Sequence, residues 1–314
     1  MTAYIINRLI QTVVVIFIVT IIAFLLVQLM PGDPAAAMLG ADATQAQIEN
    51  LRKELGLDQP ALAQYFKWMS NAVRGDFGES LMYREPLISI FAKRLPVTLY
   101  LSSLAFIIST VLGVGAGIIC AVRRNSLLDQ LISLFANIGI AIPVFWLGIL
   151  GIYVFGLKLE LLPVYGWTSP LTDFGKSFSQ SLMPVILLAV PSLAVMARQA
   201  RSSMLEEVHQ DYVRTALSKG LKERTVILKH SLKNALIPVV TLMGLHIRVL
   251  FGGAVLVETI FSIPGMGRLL VTAAQNKDFI VVQGSVLLLG LVVCLANLLV
   301  DMSYGWIDPR LRYE

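Results

Sequence analysis

Six stretches of the chain carry almost unbroken apolar sequence, and polar residues collect between them: Leu9 to Met30, Leu95 to Val122, Gln130 to Leu157, Ser177 to Ala197, Leu236 to Val257 and Phe279 to Val300. Each is long enough to cross about 30 Å of hydrocarbon, which takes about 20 helical residues. Five of the six contain no Asp, Glu, Lys or Arg. Runs this long and this apolar satisfy their own backbone only as helices. The pattern therefore predicts an all-α integral membrane protein with six transmembrane helices and no barrel.

Between the first two runs the pattern changes. "MPGDP" (Met30 to Pro34) stops the first helix, and Thr44 with Gln47 has the spacing of a capping box. Ile48, Leu51 and Leu55 then recur at helical spacing, predicting an amphipathic helix from Thr44 to Leu55. A second helix is expected from Ala61 to Val73, with Tyr65, Phe66, Trp68 and Met69 available for packing or for the headgroup layer. "GDFGES" (Gly75 to Ser80) reads as a turn, and Leu87 to Arg94 as an interfacial lead-in to the second span. The organisation read from the chain is 1–30 as the N-terminus and first span, 31–94 as an external helical insertion, and 95–314 as the core, with an inner loop at 198–235.

Composition sharpens this picture. Of 314 residues, 56% are hydrophobic and only 14% charged, against roughly 25% charged in soluble domains. The first run is about twice as long as the apolar core of a signal peptide, so it reads as an uncleaved anchor. Basic residues set the orientation. With both termini cytoplasmic, the inside collects Arg8, Arg123, Arg124, Arg310, Arg312 and eight more between Arg198 and Lys233. The short outer loops then hold Lys158, Lys176, Arg268 and Lys277. The net charge of +5 follows from those inner loops and calls for no nucleic acid. Cys120 and Cys294 both lie within predicted spans and read as packing residues, with no metal cluster around them.

Breakers interrupt the spans at Pro143, Pro184 and Pro191, where each removes a helix hydrogen bond. Gly113 and Gly117 form a GxxxG pair suited to close helix packing. The run Gly175 to Ser177 is no phosphate loop, because Pro170 stands where its first glycine belongs. The chain is thus expected to bind no cofactor and to hydrolyse no ATP. No nucleophile-and-base constellation for another reaction is evident.

The most charged stretch is "DYVRTALSKGLKERTVILKHSLKNALIP", from Asp211 to Pro238. Val213, Ala216, Leu217, Gly220 and Leu221 recur at helical spacing and give one apolar stripe on a helix from Asp211 to Leu221. Arg214, Ser218, Lys219 and Lys222 occupy its other faces, and Gly220 is placed for a left-handed cap. Such a helix either lies in the lipid interface or docks into the groove of a soluble partner. In the fifth span, Arg248 falls near the bilayer centre, where charge is costly, so it faces a pathway or a partner. His246 points about 200° away from it and reads as a satisfied structural histidine.

"RTALSKG" (Arg214 to Gly220) followed by "LKHSLKNALIPVVT" (Leu228 to Thr241) resembles the inner loop of the permease subunits of binding-protein-dependent ABC importers, specifically the dipeptide, oligopeptide and nickel family. "MPGDP", "LGLDQP" (Leu55 to Pro60), "GDFG" (Gly75 to Gly78), "LVETIFSIPGMGRLL" (Leu256 to Leu270) and "DPRLR" (Asp308 to Arg312) agree, and "PGDP" marks the first of the two permease subunits. Where the general importer loop begins Glu-Ala-Ala, this chain has Arg214, Thr215 and Ala216, as is usual in the peptide branch.

The resemblance implies a type I importer permease fold in a cytoplasmic membrane. It implies half of a translocation pathway for dipeptides or oligopeptides, with glutathione, nickel chelates or oligosaccharides as other cargoes. Its partners would be a second, homologous permease, one or two cytoplasmic ATPases carrying ATP and Mg, an external solute-binding protein and membrane lipid. A stand-alone secondary transporter is the competing class. The resemblance makes the inner loop a coupling helix seated on an ATPase, through Asp211, Val213, Arg214, Ala216, Leu217, Gly220, Leu221, Lys222 and Glu223. Arg248, His246 and Glu258 are candidate pathway residues, and Pro264, Gly265 and Gly267 a candidate outer-mouth loop.

Overall fold

The computed structural model describes residues 2–40 and 43–307, so the "DPRLR" stretch with Arg310 and Arg312 lies outside the described residues. In chain order the helices are α1 (Thr2–Leu29), α2 (Pro34–Leu39), α3 (Gln45–Leu55), α4 (Ala61–Val73), α5 (Leu87–Val122), α6 (Leu127–Ala141), α7 (Val144–Gly151), α8 (Phe174–Val208), α9 (Asp211–Ser218), α10 (Glu223–Thr225), α11 (Leu232–Ile260), α12 (Met266–Gln275) and α13 (Phe279–Ile307). A π-helical turn extends α7 over Ile152–Lys158, and another joins α10 to α11 over Val226–Ser231.

Among the described residues, five helices are long and apolar enough to cross a membrane, and α6 with α7 makes a sixth crossing if the bent pair counts as one span. That pair departs most from expectation. At Ile142 and Pro143 the backbone is extended, and the two halves meet at 104°. Proline lacks the N–H that would bridge the break, so the third predicted span is bent sharply and not merely kinked. Pro184 and Pro191, by contrast, sit inside an uninterrupted α8, as Pro96 does in α5. The expected lead-in from Leu87 to Arg94 is simply the first turns of α5.

The spans also run beyond the apolar windows, because a charge at a helix end closes a hydropathy window without ending the helix. Asp129, Arg201, Glu258 and Asp301 therefore belong to spanning helices, correcting the reading of Arg248 as their only charge.

Packing divides the chain into two units, one of Met1–Leu9, Leu99–Ile263 and Leu295–Glu314, the other of Ile10–Thr98 and Pro264–Cys294. In the second, Leu87, Ile90 and Phe91 of α5 pack with Met266, Leu269 and Ala273 of α12 and with Val281 and Val282 of α13. The two helices expected between the first two spans form. Thr44 and Gln47 close a capping box at α3, Gly56 ends it in the left-handed region at φ +72, and α4 spans Ala61–Val73. Tyr65 is buried, and its hydroxyl meets Thr20 Oγ1 of α1 at 2.7 Å. The "PGDP" turn both stops α1 and starts the short α2, which the apolar pattern did not announce: Asp33 caps it, and Pro34 takes the first helical position, where no N–H is needed. Buried Asp278 accepts from Ser80 Oγ at 2.7 Å and from the Met82 N–H at 3.1 Å, fixing the turn that follows "GDFG".

In the first unit α8 is the centre. At Gly113 of α5 a Cβ would stand 2.7 Å from Leu193 O and 2.8 Å from Met196 Cβ, and at Gly117 it would overlap Ala197 O. The GxxxG pair thus lets α5 lie directly on the α8 backbone. Asp129 of α6 is buried and takes both its oxygens to Arg201 of α8, at 2.7 Å from Nε and 2.9 Å from the terminal nitrogen. Arg8 and Asp301 approach to 3.4 Å in the same unit.

Candidate functional site

The loop at 198–235 is built on a short helix held at both ends. In α9, Gln210 leaves the preceding turn extended, and Asp211 places a carboxylate in the first turn, where the helix dipole favours negative charge. The helix ends at Ser218, one turn earlier than the pattern suggested. Gly220 has φ +80, a conformation glycine adopts without strain, so Leu221 lies in the following turn.

The predicted stripe divides in two. Val213 is buried at 3% exposure and Ala216 half-buried, while Leu217 and Leu221 stand 43% and 42% exposed. Arg214, Lys219, Lys222, Glu223 and Arg224 are exposed around those two leucines. Arg214 and Asp211 reach only 4.0 Å with both side chains in the open, an ion pair of little worth. The helix therefore turns one side inward and offers a small apolar face ringed mainly by cations.

Its anchorage lies on either side. At the start, the Tyr212 hydroxyl donates to Glu207 Oε2 of α8 at 2.5 Å, and the Asn234 side-chain amide of α11 donates to the same hydroxyl at 3.3 Å. Burial, then the hydrogen bond to Glu207, pushes the Tyr212 phenol above its ordinary pKa. At the end, Val226 and Ile227 are buried, and Ile227 packs with Ala121 of α5, Met204 of α8 and Ala235 of α11. The loop is thus joined to three long helices.

The pathway candidates do not converge. Along α11 one face is open: Pro238, Thr241, Leu245, Arg248, Gly252, Leu256 and Thr259 are all exposed, at steps of three and four residues. Arg248 sits midway along it and makes no ion pair among the described residues. His246 is half-buried, with Nδ1 3.1 Å from Ser192 Oγ, a satisfied position on another face. Glu258 is fully buried and also off the open face. Gly265 and Gly267 are buried and Pro264 half-buried. The Met266 N–H at the start of α12 donates to Thr98 Oγ1 at 2.8 Å. This segment is a packed helix start within its unit.

Two family models match nearly end to end: "Binding-prot-dependent transport system membrane comp, N-term" over residues 1–102 and "Binding-protein-dependent transport system inner membrane component" over residues 113–313. The chain belongs to this family. It is a multi-pass permease subunit of a binding-protein-dependent ABC transport system. Among curated relatives, a probable peptide ABC transporter permease protein, y4tP, of Sinorhizobium fredii is 41% identical over 313 residues, covering 100% of both chains. The glutathione transport system permease protein GsiC of Escherichia coli K12 is 42% identical over 314 residues, again 100% of both. Among solved structures, an inward-facing MetNI methionine ABC transporter matches with a TM-score of 0.56 at 17% identity, over 71% of this chain and 98% of that one. That likeness supports the permease fold.

Two features of the permease were invisible to the sequence reading. The Asp129–Arg201 pair joins residues 72 apart, and its only local signal was Ser126, whose hydroxyl accepts from the Asp129 N–H at 3.2 Å as a helix cap. The Glu207–Tyr212–Asn234 contacts gave no signal, because they join side chains on three different helices, up to 22 residues from Tyr212.

Proposed function

We propose that this permease forms half of the pathway of an ATP-driven importer of peptides, taking cargo from an external solute-binding protein. The peptide reading is supported by full-length relatives named as peptide permeases. Its partners are a second permease of the same kind and one or two cytoplasmic ATPases, which carry the ATP, the Mg and the hydrolysis. Both termini lie on the cytoplasmic side, as the basic inner loops require. The external insertion 31–94 and the core 95–314 divide the work between the outer face and the pathway.

The observation that carries this reading is α9. A helix fastened to α8 and α11, with Leu217 on it and Leu221 in the turn after it exposed among cations, suits a groove in a partner's surface. ATP-driven closure of the ATPases would carry the helix with them, and its anchorage would pass the displacement to the long helices. Arg248, on the open face of α11, would meet the C-terminal carboxylate of a peptide. Glutathione is a second reading of the cargo, favoured by GsiC at 42% identity.

The test is Leu217→Asp in the reconstituted complex of both permeases, the ATPases and the receptor. Stimulation of ATP hydrolysis by loaded receptor should be lost with all helices inserted. Wild-type stimulation would remove the docking role.

A further inference from the structure

The open leucines explain how α9 could be gripped, but not what makes it move as one body with the helices on either side. Two links at its first turn stand out. Tyr212 is the second residue of α9, Glu207 lies in the last turn of α8, and Asn234 lies in the first turn of α11. The Tyr212 hydroxyl donates to Glu207, and the Asn234 amide reaches both the hydroxyl, at 3.3 Å, and Glu207 Oε2, at 3.5 Å. One phenol thus joins three helices.

Among the described residues, no other side-chain hydrogen bond at this corner joins three helices. The His209 ring nitrogen lies 2.6 Å from Leu205 O, within its own stretch of chain, and the Thr215 and Ser218 hydroxyls donate to carbonyls of α9 itself. The rest of the anchorage is apolar: Val213 is buried, and Ile227 packs in a cluster that includes Leu205 and Val208 from the last turns of α8. Without the phenol, apolar packing alone, including buried Val213, holds the start of α9, and a displaced α9 would swivel about the Gln210 turn.

Resting on the coupling role of α9, we propose that Glu207, Tyr212 and Asn234 form a polar joint that converts displacement of α9 into movement of α8 and α11. They are positioning residues: none touches cargo or nucleotide. Tyr212 is the hinge pin because its ring is held at the start of the helix while its hydroxyl reaches both neighbours.

The experiment uses the complete complex in proteoliposomes and reads cargo moved per ATP hydrolysed, alongside recovery of the assembled complex. Tyr212→Phe keeps the ring and removes the two links. It should lower cargo per ATP about fivefold, the factor set by one net hydrogen bond, with assembly unchanged. Asn234→Ala should act in the same direction, and the double variant should be little worse than Tyr212→Phe alone, because both act on one joint. Glu207→Gln keeps an acceptor and should be milder than Glu207→Ala.

Unchanged cargo per ATP in Tyr212→Phe, independent multiplying losses in the double variant, or a loss that tracks failed assembly would each overturn the joint. Leu217→Asp separates this from the underlying reading. If Leu217→Asp uncouples and Tyr212→Phe does not, only the joint fails; if Leu217→Asp stays coupled, the docking role itself fails.

Discussion

Removing Arg201 should hurt the permease more than neutralising Asp129, although the two form one ion pair. The reason is unequal access to water: the Asp129 side chain is 5% exposed and the Arg201 side chain 32%. Arg201→Met leaves a buried carboxylate held by neutral groups, chiefly the Asn125 N–H at 3.0 Å and the Ser133 hydroxyl at 3.4 Å. Stranding a buried charge typically costs about 3–5 kcal/mol; since Asp129 keeps two weak donors, about 3 kcal/mol is expected. Asp129→Asn instead leaves a guanidinium that can turn to water, and the amide still accepts one hydrogen bond, so about 1 kcal/mol is expected. The double variant should cost less than the sum of the two. Thermal melting of the detergent-purified complex, followed by size-exclusion fluorescence, ranks the three variants. Asp129→Asn melting at or below Arg201→Met would refute the argument, as would strict additivity.

Other expectations follow from the same packing. Gly117→Leu must push α5 off α8, where even a Cβ meets Ala197 O, and should cost at least about 1–3 kcal/mol, seen as loss of monodisperse protein; a wild-type melt would contradict the contact. Arg248→Ala should slow uptake of peptides with a free C-terminal carboxylate and spare their amides, and equal loss for both would place Arg248 elsewhere. Because the Tyr212 pKa is raised, the folded state holds its proton more tightly than the unfolded chain. The stability linked to this proton is therefore full below the ordinary value of about 10 and declines only above it. Cargo per ATP should accordingly show no Tyr212-dependent change between about pH 6 and 9. Comparing the pH profiles of wild type and Tyr212→Phe tests this: the two should run parallel, offset by a constant factor, and a change in their ratio within that range would mean that the phenol titrates there.

Legibility in the sequence followed the range of the interaction. The capping box at Thr44, the bounds of α4 and the left-handed Gly220 are set within a few residues, and all appear as read. Gly113 and Gly117 signalled close packing but could not name α8 as the partner. Span ends were misplaced wherever a charge was satisfied by a distant group: Asp129 closed the third window early because Arg201, 72 residues on, does not enter a local sum. The 104° bend was half legible, since Pro143 forbids a regular helix but the angle comes from what α6 and α7 pack against. For the candidate site, the stripe of α9 was legible from periodicity. Which part of it is covered was not, because Val213 and Leu217 are equally apolar and only packing buries one and leaves the other open.

The docking of α9 is tested most directly by proximity in the working complex. With a single cysteine at Leu217→Cys in an otherwise cysteine-free permease, a short bifunctional reagent should join this chain to an ATPase subunit in membranes, and to no other protein. Bonding to the ATPase is the predicted result. Labelling of that cysteine only by lipid-borne probes, with no ATPase adduct at any stage of the ATP cycle, would contradict the account.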